Sequence, residues 1–351
     1  MPLNSILSPQ SDPAPIFEAY RLSYGSKLLV AASAHFNLFA LLNQAPLTLD
    51  ELGKAIGLAA RPTHVLVTAL RAFKLLSADA KGRLELTLLA REHLVPGGEF
   101  DISDYLAQER ENMGVLKIME RLKTNRPAGE SGDTAGQGVA FIYREGMDSA
   151  MEREASARKL TLALAGRAKN VAPVLAQRAD LRDAKLLLDV GGGTGIYSIA
   201  FLQKYPSLRA IVWDRPQVLK VAMEMAEAYG VSGRLECREG DMFTDPVPAA
   251  DVILLSNILH DWDVNECRAL LGHCAKGLSP NGKLLIHDAF LNDALDGPLS
   301  VALYSANLFC LTEGRAYSAA EYRAWLAEAG LVSGDVVPTL ADCGVMTAVK
   351  K

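Results

Sequence analysis

From residue 185 onward, short apolar runs alternate with amphipathic stretches, and the first run breaks directly into Asp189-Val190-Gly191-Gly192-Gly193-Thr194-Gly195. This order constrains the fold more than any other feature. Residues 186–189, 209–214, 235–241, 251–257 and 283–288 read as parallel strands, because alternation vanishes when helices cover both faces of a sheet. Helices are predicted over 197–205, 217–229 and 264–278, and after the last strand over 299–311 and 318–329. Repeated β-α order with right-handed crossovers gives a Rossmann-like, doubly wound α/β sheet. On such a sheet, ligands lie outside the carboxyl ends of the strands, where the strand order reverses.

The glycine run sits between the first strand and its helix. Glycines at alternate positions let backbone pass close under a ligand, and the helix start adds unpaired N–H groups. A dinucleotide fingerprint needs glycine at the sixth place of G-x-G-x-x-G, and counting from Gly191 that place is Ile196. The run fits G-x-G-x-G instead, a loop for an amino acid and a ribose rather than a pyrophosphate. Asp189, at the strand end, suits the cationic ammonium of a methionyl group. Asp214 ends the second strand, where a carboxylate takes both ribose hydroxyls; alone it would also suit NAD. Gly240-Asp241-Met242-Phe243 closes the third, with Asp241 placed for an adenine amino group and Met242 and Phe243 to cover the ring. Any one acid can be an ordinary solvated charge. Three at successive strand tips describe one nucleoside-shaped ligand, S-adenosylmethionine.

The fourth strand ends at Ser256-Asn257-Ile258-Leu259-His260-Asp261-Trp262. An imidazole titrates near neutrality, so His260 beside the cleft can take a hydroxyl proton as that oxygen attacks a methyl group. A helix-capping histidine is the bland alternative. His287 and Asp288 end the fifth strand and are expected to line the cleft or serve the core. Two histidines on separate strand ends are thin grounds for a metal, and none is expected.

Ahead of this region, helices are predicted over 17–42, 49–56 with Thr48 as N-cap, and 62–76, followed by a hairpin over 77–87 turning at Lys81-Gly82. Three helices and a hairpin read as a winged helix. Arg61, Arg71 and Lys74 are scattered among Asp50, Glu51 and Asp79, so packing or dimerisation suits this module better than DNA contact. A loop falls over 129–138, and a helix over 140–180 carries Met147, Met151, Leu160, Leu162, Leu164 and Val171 as its apolar face. The expected domains are a winged-helix dimerisation domain over 1–110, a helical linker contributing to the substrate pocket over 111–180 and a cofactor-binding domain over 181–351.

At 351 residues, two domains are the natural expectation. A net charge of −5 argues against a nucleic-acid partner. The five cysteines, odd in number and without a C-x-x-C pair, read as reduced thiols of a cytoplasmic protein. No secretory leader is expected at the start, and no apolar run suits a membrane span.

The stretches LLLDVGGGTG, VWDRPQV, GDMF, NILHDW and LSPNGKLLIHD, in this order, resemble the bacterial and plant small-molecule O-methyltransferases, the group that includes caffeate and acetylserotonin O-methyltransferases. The resemblance covers nearly the whole chain. It implies a class I methyltransferase fold, an intertwined homodimer formed by the N-terminal domain, and S-adenosylmethionine as cofactor. It further implies His260 as base, Gly191 and Gly193 in the glycine loop, Asp214 on the ribose, and Asp241 with Met242 at the adenine. One departure matters. Many members carry Gly-Gly-Arg-Glu-Arg-Thr, whose glutamate helps hold the histidine; here the stretch is Gly314-Arg315-Ala316-Tyr317-Ser318, with alanine at the acid's place. Glu313 or Asp288 are the acids that can substitute. Without one, S- or C-methylation of a small carboxylate is the runner-up to O-methylation. Tyr304, Tyr317 and Arg315 lie where the acceptor pocket is expected. A cofactor-sensing DNA-binding regulator is a third reading, opposed by the acidic balance and the intact His260.

Overall fold

The computed structural model describes residues 2–127, 142 and 154–350. The chain forms two compact units, one of Met1–Pro15, Val139–Phe290 and Tyr317–Lys351, the other of Ile16–Gly138 and Leu291–Ala316.

In the second of these, α1 (Ala14–Val30) runs through one π turn, Ala31–His35, before α2 (Leu38–Gln44). The single helix predicted over 17–42 breaks at Asn37, which sits at φ 50°. Asparagine enters this left-handed region more readily than most side chains do. Thr48 starts α3 (Leu49–Ile56) with a capping box: its hydroxyl accepts from the Glu51 N–H while Glu51 accepts from the Thr48 N–H at 2.8 Å. Then come α4 (Ala60–Ala72) and a hairpin of β1 (Leu76–Ala78) and β2 (Leu84–Leu86), with Leu76 opposite Leu86 and a further bridge from Leu84 to Leu47. Helices α5 (Leu88–His93), α6 (Ser103–Ala107) and α7 (Met113–Thr124) follow.

Leu28, Phe39, Leu52, Leu66, Leu70 and Leu122 are among the fully buried side chains of this unit's core. Buried Arg61 donates to the carbonyls of Thr312 and Gly314 and to Asn125, and its guanidinium lies over the Phe309 ring. The helix Leu299–Leu311 therefore belongs here, not to the cofactor domain in which its sequence position suggested it. It is apolar nearly all round, so no face of it indicates a partner.

The other unit opens on α8 (Glu154–Arg178). The loop over 129–138, Met147 and Met151 lie outside the described residues. Leu162 and Leu164, expected on the apolar face, are 43% and 55% exposed. The buried stripe is made of small residues instead: Ala157, Thr161, Ala165, Ala172 and Ala176, with Val171 and Leu175. Small residues spaced four apart let a neighbouring backbone approach closely, which a count of large apolar side chains cannot reveal.

The sheet follows in the expected β-α order: β3 (Leu186–Val190), α9 (Ile196–Lys204), β4 (Arg209–Asp214), α10 (Pro216–Ala228), β5 (Leu235–Glu239), β6 (Ala250–Ser256), α11 (Val264–Gly277) and β7 (Leu278–Leu291). Counting Leu299–Leu311 as α12, the chain ends with β8 (Tyr317–Ser318), α13 (Ala319–Glu328), β9 (Leu331–Pro338) and β10 (Cys343–Lys350). Strand order is β5-β4-β3-β6-β7-β10-β9, with β8 paired to β7. β3 through β7 are mutually parallel, and β10 is antiparallel to both neighbours. The order reverses between β4 and β6 around β3, so the Gly191–Gly195 loop leaves the sheet at the topological switch point. β9 and β10 were not predicted. They form a local antiparallel hairpin across residues 339–342, and only the pairing of β10 with β7 joins residues distant in sequence.

Candidate active site

The glycine loop turns through three left-handed residues, Gly191, Gly193 and Gly195, at φ 63°, 60° and 67°. The three differ in what surrounds them. A Cβ on Gly191 would meet Ile258 Cδ1 at 2.5 Å, and one on Gly195 would meet Val212 Cγ2 at 3.0 Å, whereas at Gly193 nothing lies within 4 Å. The loop is thus packed at both ends and open in the middle, a cradle for a ligand that approaches the backbone.

Asp214, at the tip of β4, accepts from the Gly193 N–H at 2.9 Å through Oδ2 and from the Arg215 N–H at 2.7 Å through Oδ1. Burial pushes its pKa up, against the pull of these two bonds. Each oxygen keeps a further lone pair, so the carboxylate can still take hydroxyl donors. Asp241, beyond β5, accepts from Arg215 at 2.7 Å through Oδ2 and from the Phe243 N–H at 2.8 Å through Oδ1. Half-buried Phe243 stands edge-on to Trp262 at 4.6 Å between ring centres, and the Met242 carbonyl meets His273. Arg215 therefore touches both acids, by its backbone at Asp214 and its guanidinium at Asp241, a part that its sequence position did not signal.

Asp189 lies beneath the loop rather than on its open side. A Cβ on Gly192 would come within 2.7 Å of its Cγ, and its Oδ2 accepts from the Ser198 hydroxyl at 2.7 Å. Burial raises its pKa to about 7, opposed by the Ser198 hydrogen bond. Here it braces the turn from below, and Ser198, one α9 turn away, is the partner that sequence inspection missed.

β6 ends at Asn257, another left-handed residue at φ 57°, whose N–H donates to the His287 carbonyl at 2.8 Å. Its side chain accepts from Arg167 of α8 at 2.8 Å and donates to the Tyr197 hydroxyl in the first turn of α9. The chain then makes one short helical turn, Leu259–Asp261, carrying His260. The Gly191–Ile258 contact seats this turn against the cofactor loop.

His260 is 3% exposed and Asp288, on β7, is 1% exposed; Nδ1 of the first is 2.5 Å from Oδ1 of the second. A carboxylate only accepts, so Nδ1 carries the hydrogen and Nε2 the lone pair. Burial opposes protonation of His260, but Asp288 and Asp261 outweigh it and the imidazole pKa stands above its ordinary value. For Asp288 burial acts upward, yet His260, the Ala289 N–H and Tyr322 hold the carboxyl below the usual range. Asp261 Oδ1 is 3.6 Å from His260 Nε2, and burial raises its pKa to about 6. Asp288, one of the two acids named as substitutes for the glutamate missing at Ala316, meets His260.

His287, paired with it at the end of β7, is a buried structural group. Ser256 Oγ sits 2.8 Å from Nδ1 and Thr339 Oγ1 3.1 Å from Nε2, and burial with nearby Arg167 lowers its pKa to about 3. Tyr317, expected in the acceptor pocket, is fully buried and donates to the Trp262 carbonyl at 2.6 Å. Tyr304 belongs to the helical unit, where the Arg21 guanidinium lies 4.0 Å above its ring, and Arg315 is buried with its guanidinium on the Ala316 carbonyl.

The chain as a whole is similar to known proteins. The model of an O-methyltransferase domain family matches residues 133–332. The 3-hydroxy-5-methyl-1-naphthoate 3-O-methyltransferase of Streptomyces sahachiroi is 32% identical over 86% of this chain and 84% of its own length. Acetylserotonin O-methyltransferase of Bos taurus is 31% identical over 90% and 91%. A crystal structure of an O-methyltransferase family 2 protein from Planctomyces limnophilus in complex with apigenin is 44% identical, covers 99% of both chains and superposes with a TM-score of 0.89. The chain belongs to this O-methyltransferase family and is an S-adenosylmethionine-dependent methyltransferase of small molecules.

Proposed function

We propose that the protein methylates a phenolic hydroxyl on a planar aromatic acceptor, with His260 as general base and Asp288 as its buried acid partner. When bound, S-adenosylmethionine supplies an electrophilic methyl group on a positively charged sulfur. Its donors suit the acceptors at the strand tips: the open face of Gly193 for close backbone approach, Asp214 for ribose hydroxyls, and Asp241 with Met242 and Phe243 at the adenine. Asp189 with Ser198 supports the loop from below.

The observation that carries the base assignment is the Asp288–His260 contact on the turn seated against the glycine loop. His260 takes the phenolic proton at Nε2 as the oxygen attacks, and Asp288 stabilises the imidazolium that results. This pair supplies the acid whose absence at Ala316 kept S- or C-methylation as the runner-up. An aromatic hydroxyl acceptor is supported by the hydroxynaphthoate and acetylserotonin activities named for the relatives and by apigenin in the related crystal structure.

A homodimer formed by the helical unit is supported by the large apolar side chains it exposes, including Ile16, Tyr20, Leu88, Phe100, Tyr105 and Met113. Its helix-helix-hairpin order, with the Leu47–Leu84 bridge beside the hairpin, supports the winged-helix reading. The five unpaired cysteines suit a cytoplasmic enzyme, and no single helix among the described residues is long and apolar enough to cross a membrane.

The test is release of S-adenosylhomocysteine with a flavone, a hydroxynaphthoate, a keto acid and a thioether acid as acceptors. Turnover with the phenols is expected, and loss of it on the order of a hundredfold or more in His260→Ala with unchanged cofactor affinity. Full activity of that variant, or turnover with the thioether acid alone, would refute the assignment.

A further inference from the structure

Asp288 holds more than His260. Its Oδ1 serves His260 Nδ1 at 2.5 Å and the Ala289 N–H at 2.8 Å, while its Oδ2 accepts from the Tyr322 hydroxyl at 3.0 Å. Tyr322 stands on α13, whose start is set by a capping box between Ser318 and Glu321. Its ring is fully buried, edge-on to Phe290, Tyr317 and Trp325 at 5.4, 5.8 and 5.5 Å. The hydroxyl has little freedom to leave the carboxylate.

We propose that Tyr322 is a positioning residue for the base: its hydroxyl keeps the buried Asp288 carboxylate ionised and turned so that Oδ1 faces His260 Nδ1. The proposal rests on the reading of His260 as base. A buried carboxylate is costly unless its lone pairs are taken, and Tyr322 takes the oxygen that His260 leaves. Burial and the charge of Asp288 hold the phenol well above its ordinary pKa, so it donates throughout the working range. The other groups bearing on the pair are Asp261 on the same turn, Arg167 of α8, His287 of β7, Cys267 of α11 and Tyr317 of β8.

The experiment follows the His260 imidazole by NMR against pH in the unliganded protein, beside the pH profile of kcat. Losing a donor leaves the charge of Asp288 less shared and the carboxylate a stronger acceptor, so His260 holds its proton more tightly. In Tyr322→Phe the His260 midpoint should rise by about one pH unit, roughly one hydrogen bond to a charged group. The acid limb of kcat should move with it, kcat should drop and KM should change little. Tyr317→Phe, which removes a buried hydroxyl of the same cluster that serves a carbonyl, should leave the limb in place. An unmoved midpoint and limb in Tyr322→Phe would overturn the proposal. If that variant does not fold, wild-type protein with 13Cζ-labelled tyrosine decides the matter: the Tyr322 resonance must titrate together with His260, and a flat line would overturn it. Failure of the base reading looks different, with normal turnover in His260→Ala while the Tyr322–His260 titration coupling persists.

Discussion

Replacing Asp288 by asparagine keeps the shape of the side chain and removes its charge. At 2.5 Å, Asp288 and His260 form a contact closed off from solvent on both sides. With His260 as the proposed base, the transition state makes it a cation and thereby forms the ion pair. An effective dielectric constant near 20 sets an upper bound of about 6 to 7 kcal/mol for two unit charges at this separation. A hydrogen bond to a charged group contributes about 1.5 to 3 kcal/mol net. Asparagine keeps a weaker bond, so the expected loss is about 2 to 4 kcal/mol in the barrier, or roughly 30- to 1000-fold in kcat. Because the hydrogen bonds of Asp288 go to His260, Ala289 and Tyr322, calorimetric affinity for S-adenosylhomocysteine should stay within about threefold of wild type. The assay is single-turnover methylation of a phenolic acceptor at saturating cofactor, which separates chemistry from product release. A kcat within threefold of wild type would refute the dyad. A parallel loss of cofactor affinity would show that the variant disturbs the sheet rather than the base.

Asp214→Ala removes the acceptor of the Gly193 N–H as well as the expected ribose contact, and should weaken S-adenosylhomocysteine by about 1.5 to 3 kcal/mol in a calorimetric titration. Gly193→Ala places a methyl group in open space at φ 60°, so thermal stability should fall by only about 1 to 2 kcal/mol while cofactor affinity falls by more; equal losses would mean that the loop does not cradle the ligand. Asp189 has a folded-state pKa of about 7 against 3.8 for the free group, so the folded form holds its proton more tightly than the unfolded form does. Its share of stability is present below pH 3.8 and is lost as pH rises to about 7, on the order of 4 kcal/mol in all. Asp189→Asn should therefore flatten the decline in unfolding free energy over that window, and an identical pH slope in the two proteins would sink the assignment.

Strand tips carry local signals, which is why the candidate site residues could be marked from residue types alone. The glycine run follows apolar β3 and Asp214 ends apolar β4, while Asp241 stands beyond β5, whose Leu-Glu-Cys-Arg-Glu is largely exposed rather than buried on both faces as expected; these strands occur within a few residues of where patterning puts them. His260 was marked by its place after the fourth strand. What patterning could not supply were partners brought in from elsewhere: Ser198 under Asp189, Arg215 across Asp241, Arg167 on Asn257 and Tyr322 on Asp288. The same holds for the helix Leu299–Leu311, whose apolar surface gives no direction, and for the small-residue stripe of α8.

The order of residues along the chain was enough to specify a doubly wound sheet, a glycine loop at its switch point and a histidine after the next strand, because each depends on periodicity and turn chemistry within about ten residues. Whether that histidine has an acid was decided in three dimensions. Asp288 reaches His260 only because β7 lies parallel to β6 with His287 opposite Ser256, a register set by packing of the whole sheet. Hydrogen-bond partners 28 and 34 residues apart in sequence leave no pattern to detect, since their meeting depends on how every layer between them is filled.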